Sequence, residues 1–202
     1  MEKLYTYLAL GDSYTIGEAL PLPESFPYQA VQLLRKEKVH IAPPEIIART
    51  GWTTDELAAA VNAHTFLKHY DFVSLLIGVN NQYRGRSVEE YNMECGPLVE
   101  RAVALAHGKP EHVFVLSIPD WGATPFAAGR NRETITSEID QYNTMNRALA
   151  AQYKTQYIDI TPGTREALGD PSLVASDDLH PSAAEYARWA QKLAEGIRAQ
   201  LK

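Results

Sequence analysis

Residues 71–78 read DFVSLLIG, a short and almost wholly apolar run closed by a glycine. A run of that length, too short for a core helix and ended by a turn residue, reads as a buried strand. Two further stretches share its character: LYTYLAL (4–10) at the start of the chain and HVFVLSI (112–118) beyond it. EIIAR (45–49) and TQYIDI (155–160) complete a set of five. Helical patterns fill the intervals. Residues 25–38 place Ala30, Val31, Leu33 and Leu34 on one side, with Pro27 tolerable in the first turn. Thr53-Thr54-Asp55-Glu56 resembles a capping box, Thr53 with Glu56, and opens a helix through Val61. Ser87 with Glu90 opens a longer one to about His107 in the same way. A helix of about twenty residues starts at Glu133, and a last one at Ser182 carries Ala184, Ala187, Trp189, Ala190 and Leu193 at helical spacing. Pro43-Pro44 breaks the chain, residues 119–132 (PDWGATPFAAGRNR) form a loop longer than most, and another loop runs from the fifth strand to Pro181.

Five strands alternating with five helices predict an α/β fold: a parallel sheet covered by helices on both faces, in three layers. Linkers, repeats and low-complexity tracts are absent from the sequence, so one domain is expected over residues 1–202. In such sheets ligands bind outside the carboxyl ends of the strands. Polar residues directly after strands are therefore the candidates for function.

Composition narrows the class. The chain is 45% hydrophobic and 22% charged, ordinary for a globular protein, and its formal charge of −6 argues against a nucleic-acid or anionic-membrane surface. The single cysteine, Cys95, excludes an intramolecular disulfide and is expected as a buried helix residue. No run of about 20 apolar residues spans a membrane. The apolar part of MEKLYTYLALGDS is too short for a signal peptide, so the sequence as given reads as cytoplasmic unless a leader precedes it.

Four segments after strands hold unusual polar residues: Gly11-Asp12-Ser13-Tyr14-Thr15, Arg49-Thr50-Gly51-Trp52, Gly78-Val79-Asn80-Asn81, and Ser176-Asp177-Asp178-Leu179-His180-Pro181. A serine becomes a useful nucleophile when a base takes its proton and a third group orients the base. Asp177 and His180, three apart before a helix, suit that pair: a turn lets the carboxylate reach Nδ1 and leaves Nε2 for Ser13. The neighbouring Asp178 leaves the choice of carboxylate open, and a turn-capping aspartate beside a surface histidine is the structural alternative. Acyl transfer also requires donors to a developing oxyanion. Backbone N–H groups of Ser13 and Gly51 and the side-chain amide of Asn80 supply three. In isolation Gly51 is an ordinary turn glycine and Asn80 an ordinary Asx turn; their coincidence at successive strand ends is what gives them weight.

Taken together these blocks resemble the SGNH hydrolases, also called GDSL-type esterases and lipases. The resemblance spans residues 5 to 190 and rests on Ser13 in Gly-Asp-Ser-Tyr, Gly51, Asn80 in Gly-Val-Asn-Asn, and His180 in Asp-Asp-Leu-His-Pro. It implies a flavodoxin-like sheet of order 2-1-3-4-5 and a catalytic triad of Ser13, Asp177 and His180, with Asp177 chosen over Asp178 by its place three before the histidine. It implies an oxyanion hole of Ser13, Gly51 and Asn80, and hydrolysis of short-chain esters, lysophospholipids or acetylated sugars. The sequence departs from the family at Asn81, where aspartate is frequent, so a supporting contact there is expected to differ. Asp12 is expected to hold its loop so that Ser13 points outwards.

Trp121 and Phe126 either line an acyl or leaving-group pocket or pack beneath their own loop. No cofactor or metal is expected: His64 and His69 share no helix face, His40, His107 and His112 read as exposed, and no Cys/His cluster has zinc spacing. The expected partner is a small-molecule ester, and nothing in the chain forces a dimer. Two other readings remain. A flavodoxin-like signalling or flavin-binding module is disfavoured by Gly78, where a phospho-receiver needs an acceptor aspartate. Thioester hydrolysis or acyl transfer would use the same site.

Overall fold

The computed structural model describes residues 3–201; Met1, Glu2 and Lys202, at the ends of the expected domain, lie outside the described residues. Five strands form: β1 (Tyr7–Asp12), β2 (Glu45–Arg49), β3 (Phe72–Leu76), β4 (Val113–Leu116) and β5 (Gln156–Ile158). They pair in parallel in the order β2-β1-β3-β4-β5. Five long helices connect or follow them. These are α2 (Phe26–Lys36), α3 (Thr54–Ala63), α5 (Val88–Leu105), α6 (Arg132–Tyr153) and α8 (Ala183–Ala199). Short helices α1 (Ser13–Ile16), α4 (Val79–Tyr83) and α7 (Thr161–Arg165) stand directly past β1, β3 and β5.

The layers follow from strand order. The chain steps from β1 to β2 in one direction and from β2 through β3, β4 and β5 in the other. Right-handed crossovers therefore put α2 on one face and α3, α5 and α6 on the opposite one. α8 packs against α2, and α5 packs against both α3 and α6. β1 and β3 are wholly buried, as strands covered on both faces must be. The order reverses at β1, so a crevice opens between the carboxyl ends of β1 and β3.

Several boundaries differ from the sequence reading. The first strand runs over 7–12 and not 4–10. Tyr5 meets Ile41 in a single bridge, whereas Gly11 and Asp12 stay in register with Ala48 and Arg49. β5 is shorter than expected because Ile160 and Thr161 turn away: their N–H groups donate to the Ser117 hydroxyl at 2.8 and 3.1 Å. The expected loop from there to Pro181 contains α7 and two 3-10 turns, Glu166–Leu168 and Pro171–Leu173. The capping box of Thr53 and Glu56 forms in full. At Ser87 only half of one forms: its hydroxyl accepts from Glu90 N–H at 3.1 Å, while the Glu90 carboxylate turns to Arg86 at 3.6 Å. His112 is half-buried and not exposed, stacked on Phe72 with its Nδ1 on the Asp71 carbonyl. Cys95 is buried in α5 as expected.

Gly11 fixes how β1 enters α1. A Cβ there would lie 2.0 Å from Thr15 Oγ1 and 2.5 Å from the carbonyl oxygen of Leu76 in β3. The second contact is backbone and cannot rotate away. Gly11→Ala is expected to cost at least about 1–3 kcal/mol through overpacking, read as a lowered urea midpoint.

Candidate active site

The site begins at the end of β1. Asp12 caps α1: its Oδ1 accepts from Tyr14 N–H at 3.0 Å. Gly17, at φ +78°, ends the same turn with its N–H on the Ser13 carbonyl at 3.1 Å. Ser13 is thereby the first residue of a single helical turn clamped at both ends, and it is only 4% exposed.

His180 reaches Ser13 from 167 residues away: its Nε2 lies 2.9 Å from Ser13 Oγ. A tight turn shapes its approach. Asp178 takes a left-handed conformation at φ +63°, and Asp177 Oδ1 accepts from the N–H groups of Leu179 (3.1 Å) and His180 (2.9 Å). Asp177 Oδ2 lies 2.5 Å from His180 Nδ1. Burial by itself would raise the Asp177 pKa; the bonds from the imidazole and the two backbone N–H groups outweigh it and hold the carboxyl below its ordinary range. An ionised carboxylate only accepts, so Nδ1 carries the imidazole proton. In the neutral ring Nε2 is then an acceptor, and the Ser13 hydroxyl donates to it. The Tyr14 ring packs on the imidazole at 4.7 Å between centroids and restricts its tilt.

Gly51 and Asn80 sit at the neighbouring strand ends. Gly51, at φ +83°, turns the chain between β2 and α3, and its carbonyl accepts from Arg84 Nη2 at 2.6 Å. Asn80 lies in α4, a helical turn where the sequence suggested only a loop. Its Nδ2 donates to the Trp52 carbonyl at 3.0 Å and to Asp12 Oδ2 at 3.3 Å. Asn81 is buried and bonds Thr54 twice, through N–H to Oδ1 at 3.1 Å and Nδ2 to Oγ1 at 2.6 Å.

Ser13, Gly51, Asn80 and His180 border one cleft of about 180 Å³, together with Trp121 and Phe126. The two aromatic residues of the long loop thus both face the site. Trp121 is buried and donates its Nε1–H to Gln82 Oε1 at 2.7 Å; Phe126 is 37% exposed. The loop is latched to the histidine turn by Phe126 N–H on the Asp178 carbonyl at 2.9 Å. Asp120 anchors its base, accepting from Thr136 Oγ1 at 2.8 Å and Arg165 Nε at 2.9 Å. Tyr14, Thr50, Val79, Tyr83 and Leu179 complete the lining. The sequence reading left these five without a role. The only signal they carried was their place in the sequence: four stand inside the four blocks, and Tyr83 lies two residues past the third. Among the described residues no group of three or more His, Cys, Asp or Glu side chains is arranged to hold a metal ion, and no helix is long and apolar enough to cross a membrane.

A family model described as the GDSL-like lipase/acylhydrolase family matches residues 9–188. The chain belongs to this family. It is accordingly a carboxylic ester hydrolase. No curated protein matches it by sequence. Solved structures share the fold at low identity. "TesA" is 20% identical at a TM-score of 0.76, over 97% of this chain and 99% of that one. An acetylxylan esterase, Axe2, from Geobacillus stearothermophilus is 20% identical at 0.75, over 98% and 95%. A lipase/acylhydrolase from Enterococcus faecalis is 18% identical at 0.77, over 98% and 97%.

Asp12 leaves a thermodynamic trace. Burial, only partly offset by the Tyr14 N–H and the Asn80 amide, pushes its pKa up to about 7. The folded chain therefore keeps a proton that the unfolded chain releases at roughly pH 3.9. This contribution to stability is complete below the unfolded pKa and is lost as pH rises through about 7. Asp12→Asn lacks the titration. The difference in urea midpoint between wild type and Asp12→Asn should shift in the variant's favour as pH rises from about 4 to about 7; a pH-independent difference would contradict the assignment.

Proposed function

We propose that this GDSL-family protein cleaves carboxylic esters of small or medium acyl groups through an acyl-enzyme. The observation that carries this reading is the continuous chain from Asp177 Oδ2 to His180 Nδ1 (2.5 Å) and from His180 Nε2 to Ser13 Oγ (2.9 Å), open to a cleft. Ser13 Oγ attacks the ester carbonyl carbon as its proton passes to His180 Nε2, and the carbonyl π pair moves onto oxygen. The N–H groups of Ser13 and Gly51 and the Asn80 amide receive that oxyanion. Of the two bonds the amide makes in the free protein, the 3.3 Å one to Asp12 is the longer and the easier to give up. The tetrahedral species then collapses, the alkoxide leaves with the proton from His180, and the acyl group stays on Ser13. Water repeats the sequence in reverse roles: His180 takes its proton, the new C–O bond forms, and the carboxylic acid departs as the Ser13 hydroxyl is restored. Asp177 holds the imidazole in the required tautomer and stabilises its charged form.

The cleft of about 180 Å³ is walled by the Tyr83, Trp121 and Phe126 rings, which supports the small end of the acyl range. An acetyl group, as released by the similar-fold acetylxylan esterase, lies within it. Acetate and butyrate esters of 4-nitrophenol are therefore expected to be hydrolysed with higher kcat/KM than the laurate ester.

Ser13→Ala and His180→Ala should each lower kcat by several orders of magnitude, because such groups act as a unit, and Asp177→Asn by about 10⁴. Asp178→Asn, which tolerates the left-handed backbone, should retain wild-type-like turnover. Wild-type turnover by Ser13→Ala would refute the mechanism. Equal losses at Asp177 and Asp178 would refute the choice of carboxylate.

A further inference from the structure

One end of the cleft is built from three rings and a cation. Tyr83, Trp121 and Phe126 pack together with centroids 5.3, 6.3 and 6.0 Å apart. The Arg130 guanidinium lies over all three, at 5.3, 5.2 and 5.2 Å from their centroids. All three rings line the cleft that holds Ser13 and His180, so the exposed guanidinium, not itself a lining residue, covers the ring cluster that forms one wall of it.

Arg130 is poorly satisfied as a donor. Among the described residues its guanidinium makes one hydrogen bond, Nη2 to Tyr83 Oη at 3.3 Å, and no carboxylate lies within ion-pair distance. Arg84, by contrast, is matched with Glu56, Arg86 with Asp55, Arg165 with Asp120 and Arg188 with Glu166. A guanidinium has five N–H donors. Stacked on aromatic faces it is held by cation–π attraction and keeps its N–H edge available for a planar or tetrahedral oxyanion.

At the opposite end of the cleft acidic and basic groups are mixed. Thr50, a lining residue, donates its hydroxyl to the Glu18 carboxylate, and Arg84 beside Gly51 is already matched with Glu56. An anion entering the cleft is thus drawn towards the guanidinium stacked on its three lining rings. The loop can hold such a charge in place, since it is latched at Asp178 and anchored through Asp120.

We propose that Arg130, on its platform of Tyr83, Trp121 and Phe126, recognises an oxyacid anion on the substrate, so that the preferred esters carry a carboxylate or phosphate on the acyl or the alcohol side. The inference rests on Ser13 and His180 hydrolysing esters in this cleft, and its test separates the two. Two matched pairs of probes are compared at low ionic strength: 4-nitrophenyl butyrate against mono-4-nitrophenyl succinate, and phenyl acetate against 4-acetoxybenzoate. Wild type should favour the anionic member of at least one pair in kcat/KM, mainly through KM, and the preference should shrink in high salt. Arg130→Gln and Arg130→Met should each reduce that anionic-to-neutral ratio about tenfold or more, the worth of one charged hydrogen bond. Arg130→Lys should restore part of it. No anionic preference in wild type, or ratios unchanged in both the Gln and Met variants, overturns the proposal. A ratio lost in Gln but kept in Met assigns Arg130 to packing and overturns it as well. Ser13→Ala run beside them with the neutral probes reports on the catalytic reading alone: if it stays active, that reading fails whatever Arg130 does.

Discussion

A buried carboxylate ties three strand ends together. Asp12 closes β1, caps α1 through Tyr14 N–H, and accepts from Asn80 at the end of β3. Asn80 in turn donates to the Trp52 carbonyl past β2. The arrangement costs free energy, since no cation among the described residues offsets the burial and the pKa rises to about 7. In exchange, the turn that carries Ser13 and the turn that carries Asn80 have a fixed separation. Had Asp12 been apolar, α1 would lose its cap and Asn80 one of its two acceptors. The part that the sequence alone assigned to Asp12, keeping its loop in place, is thus specified down to which groups it holds.

His180 has no such covalent neighbourhood. It arrives from the far end of the chain, between β5 and α8, and its position depends on a turn that is locally over-determined. Asp177 caps two N–H groups with one oxygen and meets the imidazole with the other. Asp178 supplies the left-handed residue that brings His180 back over Asp177. Backbone bonds between Ala175 N–H and the His180 carbonyl, and between Ser182 N–H and the Leu173 carbonyl, close the turn from outside. The same aspartate that bonds the imidazole at Nδ1 therefore also folds the loop that delivers it. Loss of Asp177 acts on geometry and on electrostatics together.

How much of this was legible in the sequence depended on the range of the interaction. Strands and long helices were legible because burial imposes a period over many residues. The three short helices were not: α1, α4 and α7 span four or five residues, too few to show a period. At α1 and α7 side-chain acceptors, Asp12 and Ser117, supply what propensity does not. The four blocks around Ser13, Gly51, Asn80 and His180 were legible because the fold places strand ends side by side. Tyr83 and Arg130 were not, because their place beside Trp121 and Phe126 is set by packing between α4 and the long loop. The sequence left Trp121 and Phe126 undecided between lining a pocket and packing under a loop; both border the cleft, and Trp121 is buried as well while Phe126 stays exposed.

The departure at Asn81 illustrates how a local rule can change without loss of the whole. The Thr54 hydroxyl donates to the Glu94 carboxylate and so presents only lone pairs to its other neighbour. Asn81 meets it with an N–H donor and uses its carbonyl oxygen for the Thr54 N–H at the start of α3. An aspartate at that position could accept from the N–H but would have nothing to donate, and the Thr54 hydroxyl proton would then have to serve two carboxylates. Given Glu94, an amide is the side chain that satisfies all of these groups at once. The link still runs from α4, which carries Asn80, to the helix that follows Gly51, so two of the proposed oxyanion donors remain mechanically joined.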